Sequence, residues 1–274
     1  MKRQKRIALV NDITGFGRCS IAAELPLISA MQVQACPLPT AILAVHTGFP
    51  DYYLDDYTAR MPAYIRSWEK NKLHFDGIAT GFLGSAEQID IVRDFIARFR
   101  TPATRVMVDP VMGDHGRLYA SYTEEMCAGM GELVRLADLV TPNLTEACNL
   151  LGMKYPEDGR VTAEELEYMA AGLTDMGPVQ VVITGLGQDD EVGNFVYEAG
   201  RGRLIWQPRI GGDRSGSGDV FAGIVAASLV RGDTLMAAVE RAAGFIAKCI
   251  AYAEELELPW NYGLPFEQFL TELK

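Results

Sequence analysis

The chain has 274 residues, 49% of them hydrophobic, enough for a large buried core, and its 36 acidic against 25 basic residues give a formal charge of −11. That balance argues against nucleic acid or an anionic membrane as the main partner, so an anionic ligand needs a local site. No apolar stretch approaches the ~20 residues that span a bilayer, and the apolar run after the basic N-terminus stops at Asn11-Asp12, too early for a signal segment.

Short β-branched runs at 6–10, 33–38, 75–82, 105–109, 137–141 and 179–184 read as strands, several apolar on both faces as buried parallel strands are. Between them, residues 18–31, 54–70, 86–99, 122–136, 144–152 and 163–176 carry helical spacing of apolar residues. This alternation predicts a three-layer α/β fold with helices on both faces of a mostly parallel sheet. Residues 191–210 break it and read as a late antiparallel hairpin around Gly200-Arg201-Gly202, after which helices over 219–231 and 234–255 finish the chain. With no repeat, low-complexity tract or linker, residues 1–274 read as a single domain. The five cysteines (Cys19, Cys36, Cys127, Cys148, Cys249) are scattered and never in CxxC spacing, so neither a disulfide framework nor a zinc site is indicated and a reducing, cytoplasmic setting is expected.

Taken in chain order, VNDITGFGRCS (10–20) places Gly15-x-Gly17 after a strand, but Ser20 stands where a dinucleotide fingerprint needs its third glycine, and the later acidic residue is missing. A strand-to-helix loop presenting Asn11 and Asp12 to a cleft is the better reading. PTAILAVHTGFP (39–50) sets Thr40, His46 and Thr47 on a loop, where His46 could hydrogen-bond a heteroaromatic ligand. FLGSAEQ (82–88) combines a Ser85-x-x-Gln88 capping box with Phe82, whose ring could face a flat ligand. DPVMGDHGRLY (109–119) leads from Asp109 at a strand end into a polar loop through Asp114 that suits a mobile cover or a plain surface loop. In TPNLTEACNLLG (141–152), Asn143 and Glu146 have the spacing of a capping box, with water-mediated Mg²⁺ binding as the rival reading.

GGDRSGSGDVFAG (211–223) is glycine-dense directly before a helix and has no Walker lysine. Its Gly216, Ser217 and Gly218 offer backbone N–H groups at a helix N-terminus, where unpaired donors and the helix dipole favour an anion. Asp219 beside them either caps the helix or accepts the proton of an alcohol while the backbone donors hold developing phosphoryl charge.

The motifs in this order resemble pyridoxal kinases, the vitamin B6 branch of the ribokinase-like superfamily, over nearly the whole chain. NDITGFGRCSIAAELPL, LPTAILAVHTGF, TGFLGSAEQ, DPVMGDHGRLY, ADLVTPNLTEACNLLG, MGPVQVVIT and GSGDVFAG carry the resemblance. It implies a ribokinase-like αβα fold, a homodimer, and transfer of the ATP γ-phosphate to the 5′-hydroxymethyl group of pyridoxal, pyridoxine or pyridoxamine, with Mg²⁺ and a monovalent cation such as K⁺. By position it implies Asp219 as base and Gly216 to Gly218 as anion hole. Asn11, Thr40, His46, Thr47 and Phe82 would line the substrate pocket. Asp109, Asp114, Thr141, Thr184 and Gly185 would meet the nucleotide, Glu146 and Asp109 the metal, and 114–121 would form the lid. Familiar pyridoxal kinases carry serine where Asn11 stands and usually tyrosine where Phe82 stands. The related hydroxymethylpyrimidine phosphate kinases tend to have Gln-Asn before the threonine in place of His46, and often cysteine in place of Asp219, so His46 and Asp219 favour the B6 branch.

Overall fold

The computed structural model describes residues 3–120 and 122–274. Its centre is a nine-stranded sheet. In chain order the elements are β1 (Arg6–Phe16), α1 (Ser20–Ala30), β2 (Gln34–Val45), β3 (Leu54–Asp56), α2 (Met61–Lys70), β4 (Gly77–Thr80), α3 (Ala86–Phe99) and β5 (Arg105–Val108). They continue as β6 (Gly113–Asp114), β7 (Arg117–Leu118), α4 (Glu124–Val134), β8 (Leu139–Val140), α5 (Leu144–Leu151) and α6 (Ala163–Met176), then β9 (Gln180–Gln188), β10 (Glu191–Glu198), β11 (Arg201–Pro208), α7 (Ser217–Arg231) and α8 (Leu235–Glu255).

The strand order is β11-β10-β9-β8-β5-β4-β1-β2-β3, parallel from β2 through β9 and antiparallel at β3, β10 and β11. The sheet is therefore mostly parallel with a late antiparallel pair, as the alternation of sequence patterns predicts. Ile7, Ala8, Leu9 and Val10 of β1 are all fully buried. The period of two sends Ala8 and Val10 into a core with α2 through α6, and Ile7 and Leu9 into a second core with α1, α7 and α8. Burial on both faces is what parallel strands require.

Three boundaries differ from the sequence reading. The helical pattern at 54–70 resolves into the edge strand β3, a short 3₁₀ turn at Thr58–Arg60 and then α2. Asp56 Oδ1 accepts the Thr58 N–H at 2.8 Å, an Asx turn that interrupts the helix, and Pro62 favours a restart there. β1 runs on to Phe16 and β2 to Val45 because they pair with each other, from Arg6 opposite Gln34 to Phe16 opposite Val45, with a register shift between Asn11 and Ile13. That shift is a bulge in β2, where Thr40 and Ala41 stand opposite the single Asp12, a device that re-aims side chains at a sheet rim. Finally, the chain continues beyond α8 into 3₁₀ turns at Trp260–Tyr262 and Glu267–Leu273, whose Leu264, Phe266 and Leu273 are buried in the second core. Among the described residues no helix is long and apolar enough to cross a membrane.

Candidate active site

The carboxyl ends of β1, β4, β5, β8 and β9 lie on one rim of the sheet, where open α/β sheets bind ligands. Asn11 and Asp12 lie at the register shift of β1, Phe82 follows β4, Asp109 follows β5, Thr141 follows β8, and Thr184 and Gly185 lie on β9. The N-terminus of α7 closes over this rim from the side of the second core. Gly216 is its N-cap at φ 76°, and a Cβ there would stand 2.1 Å from the Arg18 carbonyl oxygen, so both conformation and space demand glycine. Gly218, in the first helical turn where an N–H has no intrahelical acceptor, has nothing within 4 Å of a would-be side chain. Ser217 N–H makes only a long 3.4 Å bond to the Arg214 carbonyl. The first turn of α7 thus has room beside Gly218 and N–H groups that lack intrahelical acceptors.

Asp219 sits beside these donors. Its Oδ1 accepts from Asn11 Nδ2 at 3.2 Å, and the Ser20 backbone N–H at the start of α1 also donates to its carboxylate. Burial is the main force raising its pKa from the ordinary carboxylate value to about 6, with Asp12 adding repulsion and the Ser20 and Asn11 donors holding it down. Such a group is ionised at neutral pH yet basic enough to take a proton. Asp12 itself is tied to Thr14 Oγ1 at 2.7 Å and Ser20 Oγ at 2.6 Å, and burial pushes its pKa up.

The other predicted residues fall into distinct groups. Phe82 is half-buried on the rim, and its N–H donates to Asn11 Oδ1 at 2.9 Å. Thr47 is exposed on the 46–49 loop. Thr40, by contrast, has no exposed surface and donates its hydroxyl to the Phe82 carbonyl at 2.9 Å, so it supports the Phe82 loop from beneath and does not face the cleft. His46 is placed differently from the expectation of a ligand hydrogen bond. Its Nδ1 accepts from Gly48 N–H at 3.0 Å and its Nε2 lies 2.8 Å from the Asn261 carbonyl, so both ring nitrogens are engaged with backbone. The ring packs edge-on against Phe49 and Trp260. Arg18 pins the same C-terminal turn through the Tyr262 carbonyl at 3.1 Å and Glu267 at 2.7 Å.

On the other side, Asn143 and Glu146 form a complete capping box at the start of α5. Glu146 Oε2 accepts from Asn143 N–H at 2.9 Å and Oε1 from Met112 N–H at 3.1 Å, while Asn143 Nδ2 donates to the Gly113 carbonyl at 2.8 Å. The box thus anchors the base of the β6–β7 hairpin, the segment read as a lid. Asp114 and His115 at its tip are exposed, with His115 Nε2 3.5 Å from Asp213 on the loop before α7. Ser121, at the end of the expected lid, lies outside the described residues. Thr184 N–H donates to the Pro142 carbonyl at 2.9 Å, joining β9 to this corner, and Gly185 beside it is exposed.

Asp109 is half-buried above a cavity of about 10 Å³, room for one water, lined by Thr80, Thr141 and Ala222 among others. Burial and then the Glu146 charge push its pKa well up, and burial raises Glu146 to about 8 against its backbone donors. Among the described residues no group of three or more His, Cys, Asp or Glu side chains gathers as a metal site. Asp109 and Glu146 are nevertheless of the donor type that Mg²⁺ takes, one or two protein carboxylates with water and phosphate oxygens filling its shell.

Sequence reasoning missed Glu24 and Ser20. Glu24 is 3% exposed on α1 and its Oε2 accepts from Asn11 Nδ2 at 3.3 Å. The signal was present: one acidic residue in SIAAELPLISA, four positions after Ser20 and on the same buried helix face.

A model of the phosphomethylpyrimidine kinase family matches residues 16–262. The chain belongs to the phosphomethylpyrimidine kinase family. Its curated relatives divide between two substrate classes. The hydroxymethylpyrimidine/phosphomethylpyrimidine kinase of Haemophilus influenzae is 28% identical over 273 residues, covering 96% of this chain and 95% of the relative. The pyridoxine/pyridoxal/pyridoxamine kinase of Bordetella avium is 34% identical over 183 residues, covering 64% and 59%. The chain also matches the Arabidopsis thaliana chloroplast thiamine biosynthetic bifunctional enzyme TH1, 27% identical over 256 residues and 91% of this chain, but spans only about half, 47%, of that relative. Among solved structures, a protein from Bacteroides thetaiotaomicron assigned as a phosphomethylpyrimidine kinase and crystallised with pyridoxal superposes with a TM-score of 0.95 at 39% identity, covering 99% of this chain and 96% of that one. Family membership makes the chain a kinase, and its fold is that of pyridoxal kinase structures.

Proposed function

We propose that the protein transfers the γ-phosphate of ATP to the 5′-hydroxymethyl group of a vitamin B6 vitamer, with Asp219 as general base. The observation that carries this reading is the pairing of the Asp219 carboxylate with the open backbone donors at the start of α7. In the reaction the substrate oxygen attacks the γ-phosphorus, the bond to the β-phosphate oxygen breaks to release ADP, and the hydroxyl proton passes to Asp219. The N–H groups of Gly216, Ser217 and Gly218 face the charge that builds on the transferring phosphoryl group, and the dipole of α7 adds to them. Asp109 and Glu146 would hold Mg²⁺, which neutralises charge on the phosphates. Thr141, Thr184, Gly185 and Asp114 would border the nucleotide, and the β6–β7 hairpin would cover it.

The B6 reading draws support from the Bacteroides thetaiotaomicron likeness, since that protein was crystallised with pyridoxal. A hydroxymethylpyrimidine or its phosphate is the second reading, favoured by the family model and by the Haemophilus influenzae relative. A panel of pyridoxal, pyridoxine, pyridoxamine, hydroxymethylpyrimidine and its monophosphate, with Mg-ATP and ADP release as readout, separates them. Turnover of a vitamer with a higher kcat/KM than any pyrimidine supports the proposal. Turnover of pyrimidines alone assigns the second reading.

A further inference from the structure

Glu24 is a buried carboxyl that the reaction above does not use. It lies in the seam where α1 packs on α7, 3% exposed, and burying a carboxyl group there is costly unless it serves a partner. Its partner is the Asn11 amide, whose geometry is fully determined. Asn11 Oδ1 accepts the N–H of Asp12 and of Phe82, each at 2.9 Å, so the NH₂ group must face the opposite way. There it donates to Glu24 Oε2 at 3.3 Å and to Asp219 Oδ1 at 3.2 Å. The amide lies flat against the turn after β4 because residue 81 is glycine, where a Cβ would stand 2.4 Å from Asn11 Nδ2.

We propose that Glu24 is a positioning residue which, through the Asn11 amide, fixes the orientation of the Asp219 carboxylate; the proposal rests on Asp219 being the base. With Glu24 as second acceptor, the NH₂ group of Asn11 is held at both of its donor positions and cannot tilt away from Asp219. Burial and the nearby Asp219 raise the Glu24 carboxyl well above the usual range, and its oxygen accepts from the Asn11 amide at 3.3 Å. Glutamine can do the same work, since its amide oxygen accepts the same hydrogen bond, whereas leucine cannot.

Three variants test this: Glu24→Leu, Glu24→Gln and Asn11→Ala, with the double variant Asn11→Ala/Glu24→Leu. Thermal melts identify any that fail to fold. Glu24→Leu is expected to lower kcat about tenfold to a hundredfold with KM for ATP and alcohol nearly unchanged. Glu24→Gln should restore most of that loss. Because Glu24 acts through Asn11, the double variant should be no slower than Asn11→Ala alone. Equal kcat in Glu24→Leu and wild type, a loss in Glu24→Gln as deep as in Glu24→Leu, or additive losses in the double variant would each overturn the proposal. Crystal structures give an arm independent of turnover. The Asn11–Asp219 hydrogen bond should persist in wild type and Glu24→Gln and be lost in Glu24→Leu, and its survival in Glu24→Leu overturns the proposal. If wild type turns over nothing on the panel, the functional reading fails by itself, and the crystal arm still decides the role of Glu24.

Discussion

An Asp219→Ala variant is expected to keep its fold and lose about 10²- to 10⁴-fold in kcat, the usual contribution of a positioned acid or base. Steady-state kinetics on the best substrate of the panel, beside a circular dichroism melt, checks both halves. The pH dependence has a definite sign. Asp219 must be ionised to accept a proton and its pKa is raised to about 6, so kcat/KM should fall as pH drops through about 6 and stay level above it. A profile with its acid limb near the ordinary carboxylate value would contradict that environment. Asp219 stood out in the sequence because Gly-Ser-Gly stands directly before this acidic helix start. The role of Asn11 was not, since its four hydrogen-bonding contacts come from β1, the turn after β4, α1 and α7, which no local window brings together. His46 shows the converse: a histidine in a polar loop looks free in the sequence, while in the fold the distant Asn261 carbonyl lies 2.8 Å from its Nε2.

Among the elements, the turn into α7 tolerates the least change. Gly216→Ala meets both a left-handed φ and the Arg18 carbonyl at 2.1 Å, so it should destabilise the protein by more than about 1–3 kcal/mol of backbone strain and impair turnover as well. Urea unfolding and kcat measure the two effects. At α5, Asn143→Ala removes a cap worth about 1 kcal/mol and also the tie to the Gly113 carbonyl that steadies the base of the hairpin. It should therefore raise KM for ATP, whereas Thr162→Ala, at the equivalent capping box of α6 on the exposed surface, should cost similar stability and leave KM unchanged. Helix starts were legible where a capping residue was read before an apolar stripe, at Ser85 and Asn143. The edge strand β3 was not, because three residues with mixed exposure carry no period and owe their form to pairing with β2.

At the level of the whole molecule, the residues after α8 fasten the site together. The turn at Trp260–Tyr262 meets His46, Arg18 and the Ser215 N–H, while Leu264, Phe266 and Leu273 fill the second core. Deleting 260–274 should cost about 1.5–3 kcal/mol for each of those three buried side chains and leave the loop before α7 unsupported, so stability and turnover should fall together. A scanning calorimetry trace with the same midpoint as the full chain would refute this. The strand alternation made the sheet and its helices legible, but this closing segment could not be read because its ties to Arg18 and His46 reach more than two hundred residues back along the chain. The placement of every site residue at the carboxyl rim has a further consequence. The opposite rim carries ion pairs such as Arg3 and Lys5 with Asp76, and Arg100 with Asp138, and holds none of the predicted site residues. Evolution can thus retune which alcohol is accepted at one rim while repairing stability at the other, since changes so far apart add with little interference.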